Sequence, residues 1–245
     1  MVPTTLRQMS GRHRSEAGDT RLGVALAFVA GAVNAGGFLA VGTYTSHMSG
    51  MASSLSDFLA QQHWQAAALA AMHITAFFLG SLSASLMVNG ARRYGLNSEF
   101  AIALLVEAVL LLAFGFLAAA MAGPAGLQVL ISLLCLIMGL QNGLITKISH
   151  AEIRTTHMTG VITDLGIEAG RWLFAAMTGT AVRFDGKKTR RLAALLAAFL
   201  SGGVIGALAF GLVGYISVAP LCLILVVLAA MPIADDLARF LARKP

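Results

Sequence analysis

The sequence predicts an all-α fold, a polytopic transmembrane helical bundle with about six full spans, two short motif helices and an internal inverted repeat. Three observations support this fold class. Of the 245 residues, 58% are hydrophobic and only 11% are charged, whereas a soluble domain carries about 25% charged residues. A short polar motif occurs twice, once in each half of the chain. The lysines and arginines fall in short runs between apolar segments, as the positive-inside rule expects.

The repeated motif reads TSHMSG at 45–50 and TTHMTG at 155–160. Each copy follows an apolar segment that contains an asparagine, Asn34 in the first half and Asn142 in the second. Histidine and asparagine are rare in apolar sequence, so their return at matched positions indicates a duplication.

The first repeat covers 22–121 and follows a polar tail at 1–21. It contains three apolar segments of span length, which are 22–41, 66–88 and 100–121. The first motif begins a helix of about 15 residues, which is short for a perpendicular crossing. The charge-free 123–126 linker, which contains a proline, then breaks the helix.

The second repeat covers 126–232 and follows the same order. Its apolar segments are 127–146, 192–213 and 216–231, with the second motif helix after the first of them. A basic loop at 183–191 precedes the final pair of spans, and a second polar tail covers 233–245.

Basic loops decide the number of crossings. If both motif helices crossed, the loops that carry Arg92 and Lys147 would lie outside, against the positive-inside rule. With six spans, every basic loop and both termini are cytoplasmic. Each repeat then has three spans, and because three is odd the repeats are oppositely oriented. A motif helix of about 20 residues could still cross, which leaves seven or eight crossings open.

The motif residues are the first candidates for a substrate or proton pathway, because polar groups at bilayer depth need protein or water partners. Thr45 and Thr155 suit either a helix cap or a cavity wall. His47 and His157 would converge on one axis, and an imidazole can carry a proton near neutral pH.

Asn34 and Asn142 are further candidates, since an amide in an apolar span must hydrogen-bond to a neighbouring helix or to a substrate.

Three acids complete the candidate pathway. Glu107 stands in an apolar span, where an ionised carboxylate costs several kcal/mol, so it is either protonated or paired across the bundle. Asp57 and Asp164 follow the two motifs at different offsets. Asp164 also shares a helix face with Glu168 and Arg171, which favours a local ion pair.

Several function classes are excluded by the motifs that the chain does not contain. It has no H-E-x-x-H, G-x-S-x-G, Walker or dinucleotide-binding sequence, so we expect no enzyme and no cofactor. Cys135 and Cys222 lack a paired spacing, and two histidines alone are a weak zinc signal, so we expect no metal. The net charge of +6 follows from topology rather than from nucleic-acid binding.

The two motif blocks and the GLQNG element at 139–143 resemble the YoaK-type family over residues 22–232. This resemblance implies a multi-pass protein of the bacterial inner (plasma) membrane, and it implies no substrate.

The functional expectation is a small-solute secondary transporter or permease with Glu107 as proton carrier. Its partners would be the lipid bilayer and a small solute or ion. A non-transporting scaffold or sensor and a subunit of an oligomeric channel are the alternatives, and a homo-oligomer is left open.

Overall fold

The computed structural model describes residues 9–11, 15–121, 123–149, 152–181 and 184–242, and within these ranges the chain is helical with no strand. The all-α prediction is therefore confirmed. The helices are α1 (Glu16–Val41), α2 (Met48–Ala60), α3 (Trp64–Arg93), α4 (Ala101–Ala120), α5 (Pro124–Ile148), α6 (Met158–Thr178), α7 (Gly186–Val213) and α8 (Val218–Ala242). A 3-10 turn, Gly214–Ser217, joins α7 to α8.

Five segments of the described chain are long and apolar enough to cross a membrane. Four are α1, α3, α4 and α5, and the fifth is the 57-residue segment Gly186–Ala242. A crossing needs about 20 residues, and Gly214, with φ 63°, separates α7 from α8 inside this segment. The fifth segment therefore contains two spans. Helix α6, although 21 residues long, is not among the candidate spans.

Contacts between helices fix the direction of each span. Gly23 of α1 contacts Ile153, beyond the end of α5, whereas Gly37 contacts Leu134 within α5, so α1 and α5 are antiparallel. Helix α5 also runs antiparallel to α4, because its Gln141 donates to Glu107 in the first half of α4 while its start lies against the end of α4.

Helix α8 is antiparallel to α4. The backbone N–H of Ser98, before α4, donates to Asp236 near the end of α8 at 2.8 Å. At the other end, Gly115 of α4 contacts Val218, the first residue of α8.

The closest helix pairs each combine one helix from the first repeat with one from the second. A Cβ added to Gly31 of α1 would overlap the carbonyl oxygen of Phe199 in α7. Likewise, a Cβ added to Gly139 of α5 would overlap the carbonyl oxygen of Phe77 in α3. Because α5 corresponds to α1 and α7 to α3, the same close approach is built twice, each time between helices of different repeats.

The helix directions complete the inverted repeat. Helix α7 is parallel to α1, since Phe28 contacts Gly202 and Gly36 contacts Phe210. Helix α3 is parallel to α5 by the matching contacts. Thus α1, α4 and α7 run one way, α3, α5 and α8 run the other, and the six-span inverted repeat is confirmed.

Every lysine and arginine among the described residues lies at one side of the bundle, which we call the basic side. This side holds the start of α1, the 94–100 connection, the end of α5, the start of α7 and the end of α8. The predicted basic residues Arg7, Arg12, Arg14, Arg183, Arg243 and Lys244 lie outside the described residues.

Among the described residues, every span except α4 is longer than its predicted apolar segment, and α1 and α8 are two examples. Helix α1 begins at Glu16, six residues before the predicted segment, because the Ser15 side chain accepts the Gly18 N–H and Glu16 and Asp19 occupy the positive first turn. Helix α8 continues to Ala242, beyond the predicted end of the apolar segment.

The motif helices lie at the surface of the bundle. Helix α2 has no buried residue, and α6 buries only Val161 and Glu168. The largest fully buried side chains, by contrast, are mostly those of α1, α4 and α5.

Candidate functional site

Each motif copy begins a helix with its histidine. His47 is the residue that precedes α2, His157 is the residue that precedes α6, and neither side chain caps its helix with a hydrogen bond. A Cβ added to Gly160 would stand 2.7 Å from His157 Nδ1, and the His47 ring lies against Gly50 in the same way. The His-x-x-Gly spacing therefore lets the imidazole lie over the first turn.

A hydrogen bond ties each motif back to the preceding span. Ser46 Oγ donates to Asn34 Oδ1 at 2.9 Å, and Thr156 Oγ1 donates to Asn142 Oδ1, also at 2.9 Å. In the first copy, Gly42 with φ 73° ends α1 in a left-handed cap, so the chain can turn back. In both copies the chain therefore turns back from the end of the span, and the motif lies beside the asparagine inside that span.

A groove of about 590 Å³ brings the two motif copies together between α1 and α7. Ser46 and His47 of the first copy line it together with Thr156, Met158 and Thr159 of the second. A second groove, of about 680 Å³, contains neither copy. The first groove is thus the described cavity in which the duplicated residues meet.

Both predicted histidines are exposed side chains in the isolated chain. His47 lines the groove, whereas His157 is not part of its lining. Asn34 lines the groove, while Asn142 donates its amide to the Met138 carbonyl at 2.8 Å.

A buried hydrogen-bonded chain leads from Glu107 to the second motif. Gln141 Nε2 donates to Glu107 Oε1 at 2.7 Å, and Thr155 Oγ1 donates to Gln141 Oε1 at 3.0 Å. All three side chains are 0% exposed. The other carboxyl oxygen, Glu107 Oε2, has no hydrogen-bond partner among the described residues.

The first motif has no matching chain. Thr45 is 1% exposed and its hydroxyl has no partner among the described residues. Val33 precedes Asn34 in α1 as Gln141 precedes Asn142 in α5. The position that holds Gln141, the acceptor of the Thr155 hydroxyl, is therefore a valine in the first repeat.

The two aspartates occupy different settings. Asp57 is exposed on α2, whereas Asp164 pairs with Lys188 at 3.1 Å. Arg171 pairs with the buried Glu168 at 2.8 Å, as the spacing predicts, and Glu168 also accepts the Asp185 N–H at 3.3 Å. These contacts hold α6 to the start of α7 on the basic side.

Sequence reasoning missed Gln141, which links Glu107 to the motif. A second amide directly before Asn142 in an apolar span was the signal that could have found it. No group of three or more potential ligands for a metal is present among the described residues.

The comparisons supply a family and no activity. Comparison with curated proteins and with solved structures gives no match. A family model matches residues 22–231, which include both motif copies and all six spans except the ends of α1 and α8. The chain, a membrane protein by its apolar helices, therefore belongs to the family described as "Protein of unknown function (DUF1275)".

Proposed function

We propose that the protein is a small-solute secondary transporter of the bacterial inner membrane, of the YoaK type, with the basic side and both termini in the cytoplasm. The observation that carries this proposal is the groove that both motif copies line between oppositely oriented repeats. Inverted repeats with interrupted segments at a central site are the usual architecture of secondary transporters.

Alternating access is favoured by the exchange of helices between repeats. The α1–α7 pair and the α3–α5 pair are built from corresponding close contacts, so each can move as a packed unit. A rotation of one pair against the other would move Thr156, which is bonded to Asn142 of α5, relative to the α1–α7 wall and so change the access to the groove.

Proton coupling is supported by the buried chain that starts at Glu107. Protonation or deprotonation of its carboxyl group would change the hydrogen bond that Gln141 donates, and Gln141 in turn holds Thr155 of the second motif. A proton at Glu107 would therefore affect the position of a motif that borders the groove.

Cysteine accessibility tests alternating access. Single cysteines at Ser46 and Thr156 would be placed in a chain whose buried Cys135 and Cys222 are replaced by alanine. In oriented vesicles we expect a membrane-impermeant maleimide to label both positions from both sides. Labelling of each position from one side only would contradict alternating access.

Exposed positions outside the groove provide the controls for this experiment. Gln61 and Thr180 lie on opposite sides of the bundle. A cysteine at position 180 should therefore react only from the cytoplasmic side, and a cysteine at position 61 only from the other side. Reaction of both from the same side would mean that the motif helices cross.

Flux measurements test the proton pathway. In proteoliposomes with an entrapped pH-sensitive dye, we expect solute-driven proton movement to fall at least about tenfold in Glu107→Gln. His157→Ala should also reduce it. Unchanged flux in both variants would remove Glu107 and His157 from the pathway.

A scaffold or a channel subunit is the second candidate, and an exposed glycine pair on α6 favours it. A Cβ added to Gly166 or Gly170 would meet nothing within 4 Å in the described part of the chain. Glycines spaced in this way allow close helix association in membranes. This second candidate would be favoured if Gly166→Cys cross-links into a dimer, the proteoliposomes show no solute flux and the cysteine labelling shows no alternating access.

A further inference from the structure

We propose that the groove binds a small organic monoanion, a carboxylate attached to a compact apolar body. This inference rests on the proposed function and adds the substrate class to it. It is drawn from the chemistry of the groove wall.

The groove offers hydrogen-bond donors and no carboxylate. None of the described residues that line it is aspartate, glutamate, lysine or arginine. Asn34 uses its Oδ1 to accept from Ser46, so the amide NH₂ group is the part of its side chain left for a ligand. The Thr159 hydroxyl and the His47 ring N–H are further donors in the wall.

The start of α6 adds a favourable potential to these side-chain donors. Met158 and Thr159 are its first two residues and line the groove. His157 gives the first turn no side-chain cap, and the Met158 N–H donates to the Thr156 carbonyl at 2.9 Å, so the peptide N–H groups of Thr159 and Gly160 are the ones left for an acceptor. A wall with these donors and without a carboxylate, beside such a helix start, favours a negative ligand over a positive one.

The charge of the ligand is limited to about one unit, because the wall contains no permanent cation. The side-chain donors and the helix start supply partial charges, which suit one carboxylate. A phosphate dianion would remain largely unbalanced at this depth, where proteins normally provide arginine or lysine.

The rest of the lining indicates an apolar body. Phe199, Leu200 and Val204 of α7 also line the groove, and so does Tyr44. A volume of about 590 Å³ lies within the range of sites for small organic ligands. A hydrophilic anion would leave these side chains without a partner.

Two sources could deliver such an anion. Leu200 is 58% exposed and Val204 is 61% exposed, so the groove opens sideways toward the lipid as well as toward the motif loops. Water-soluble carboxylates and long-chain carboxylates from the bilayer share the same head group, and the experiment therefore includes both.

Equilibrium binding to the full chain in nanodiscs tests the charge preference. The probes are benzoate, benzamide and benzylamine, which share a ring and differ in charge, followed by butyrate and decanoate. We expect benzoate to bind at least about tenfold more tightly than the neutral and cationic analogues. Tighter binding of decanoate than of butyrate would assign the bilayer as source, and the reverse would assign water.

The sharpest variant is Asn34→Asp. Aspartate keeps the oxygen that Ser46 needs but replaces the NH₂ donor with negative charge, so benzoate affinity should fall at least about tenfold. The matched control is Asn89→Asp, whose side-chain oxygen accepts from Lys147 at 2.8 Å outside the groove, and it should bind benzoate normally. If Asn34→Asp does not fold, Thr159→Val must weaken benzoate binding instead.

The outcomes separate this inference from the proposed function. Benzamide or benzylamine binding as tightly as benzoate, no binding of any probe, or an unaffected Asn34→Asp would overturn the inference. Benzoate binding without alternating access would support the anion site and contradict the proposed transport function. Transport of cations or neutral solutes alone would retain transport and contradict the anion site.

Discussion

Thr45 and Thr155 occupy matching positions in the two motifs, yet the same substitution should change stability in opposite directions. Thr155→Val removes the hydroxyl that donates to Gln141 at 3.0 Å. Thr45→Val removes a hydroxyl that is buried and has no partner in the described part of the chain. We therefore expect the first substitution to destabilise the protein and the second to stabilise it.

The magnitudes follow from these two settings. A net hydrogen bond contributes about 0.5–1.5 kcal/mol, and side-chain bonds within membranes average about 0.6 kcal/mol. Thr155→Val also leaves Gln141 Oε1 buried without a donor, so its total cost should be about 1–2 kcal/mol. Removal of the unpartnered Thr45 hydroxyl should gain about 0.5–1 kcal/mol. The two variants should differ by about 2 kcal/mol.

The measurement is the free energy of unfolding in mixed micelles, with Thr155→Val repeated in a Gln141→Leu background. There the threonine has already lost its acceptor, so the cost of Thr155→Val should nearly vanish. Equal destabilisation by Thr45→Val and Thr155→Val, or an unchanged cost in the Gln141→Leu background, would refute the buried chain as described.

Three further results are expected. Gly139→Ala should cost about 1–3 kcal/mol, because its Cβ would overlap the Phe77 carbonyl, while Gly90→Ala, with open space around it, should be neutral or stabilising in the same unfolding assay. Asp185→Ala should lower the thermal midpoint. The Lys188 N–H that donates to the Asp185 carboxylate lowers the pKa of this group, although burial acts in the opposite direction. The carboxylate should therefore stabilise the protein at neutral pH, and this stabilisation should disappear as the pH falls through the lowered pKa. Cys222, which is buried, should react with a maleimide only after unfolding.

Topology could be predicted from the sequence because it depends on coarse quantities. Six apolar segments and the one-sided placement of Arg92, Lys147 and Lys188 were enough to choose six spans over eight. The repeated His-x-x-Gly spacing indicated the duplication, and the close contacts of Gly31 and Gly139 follow from the small size of glycine in both apolar segments. None of these inferences requires the partner of any single side chain.

The polar partners could not be predicted in the same way. That Gln141 stands between Glu107 and Thr155 depends on how α4, α5 and the second motif pack, and the three residues are far apart in sequence. Asn34 and Asn142 were expected to hydrogen-bond, but their acceptance of a motif hydroxyl depends on a loop that turns back. The pathway roles of these residues, and those of His47 and His157, remain predictions that the proposed flux and binding measurements test.

The two halves share what the fold needs and differ in what they can do. Close helix approach tolerates no added carbon, so the Gly31 and Gly139 contacts are the same in both repeats. The asparagine-to-hydroxyl bonds are also the same, because each returning loop has polar groups to satisfy at depth. The differences fall on single polar positions, such as Gln141 against Val33. Each such difference makes the halves energetically unequal while the frame stays symmetric, so in the proposed exchange the Glu107 chain would favour one of the two conformations over the other.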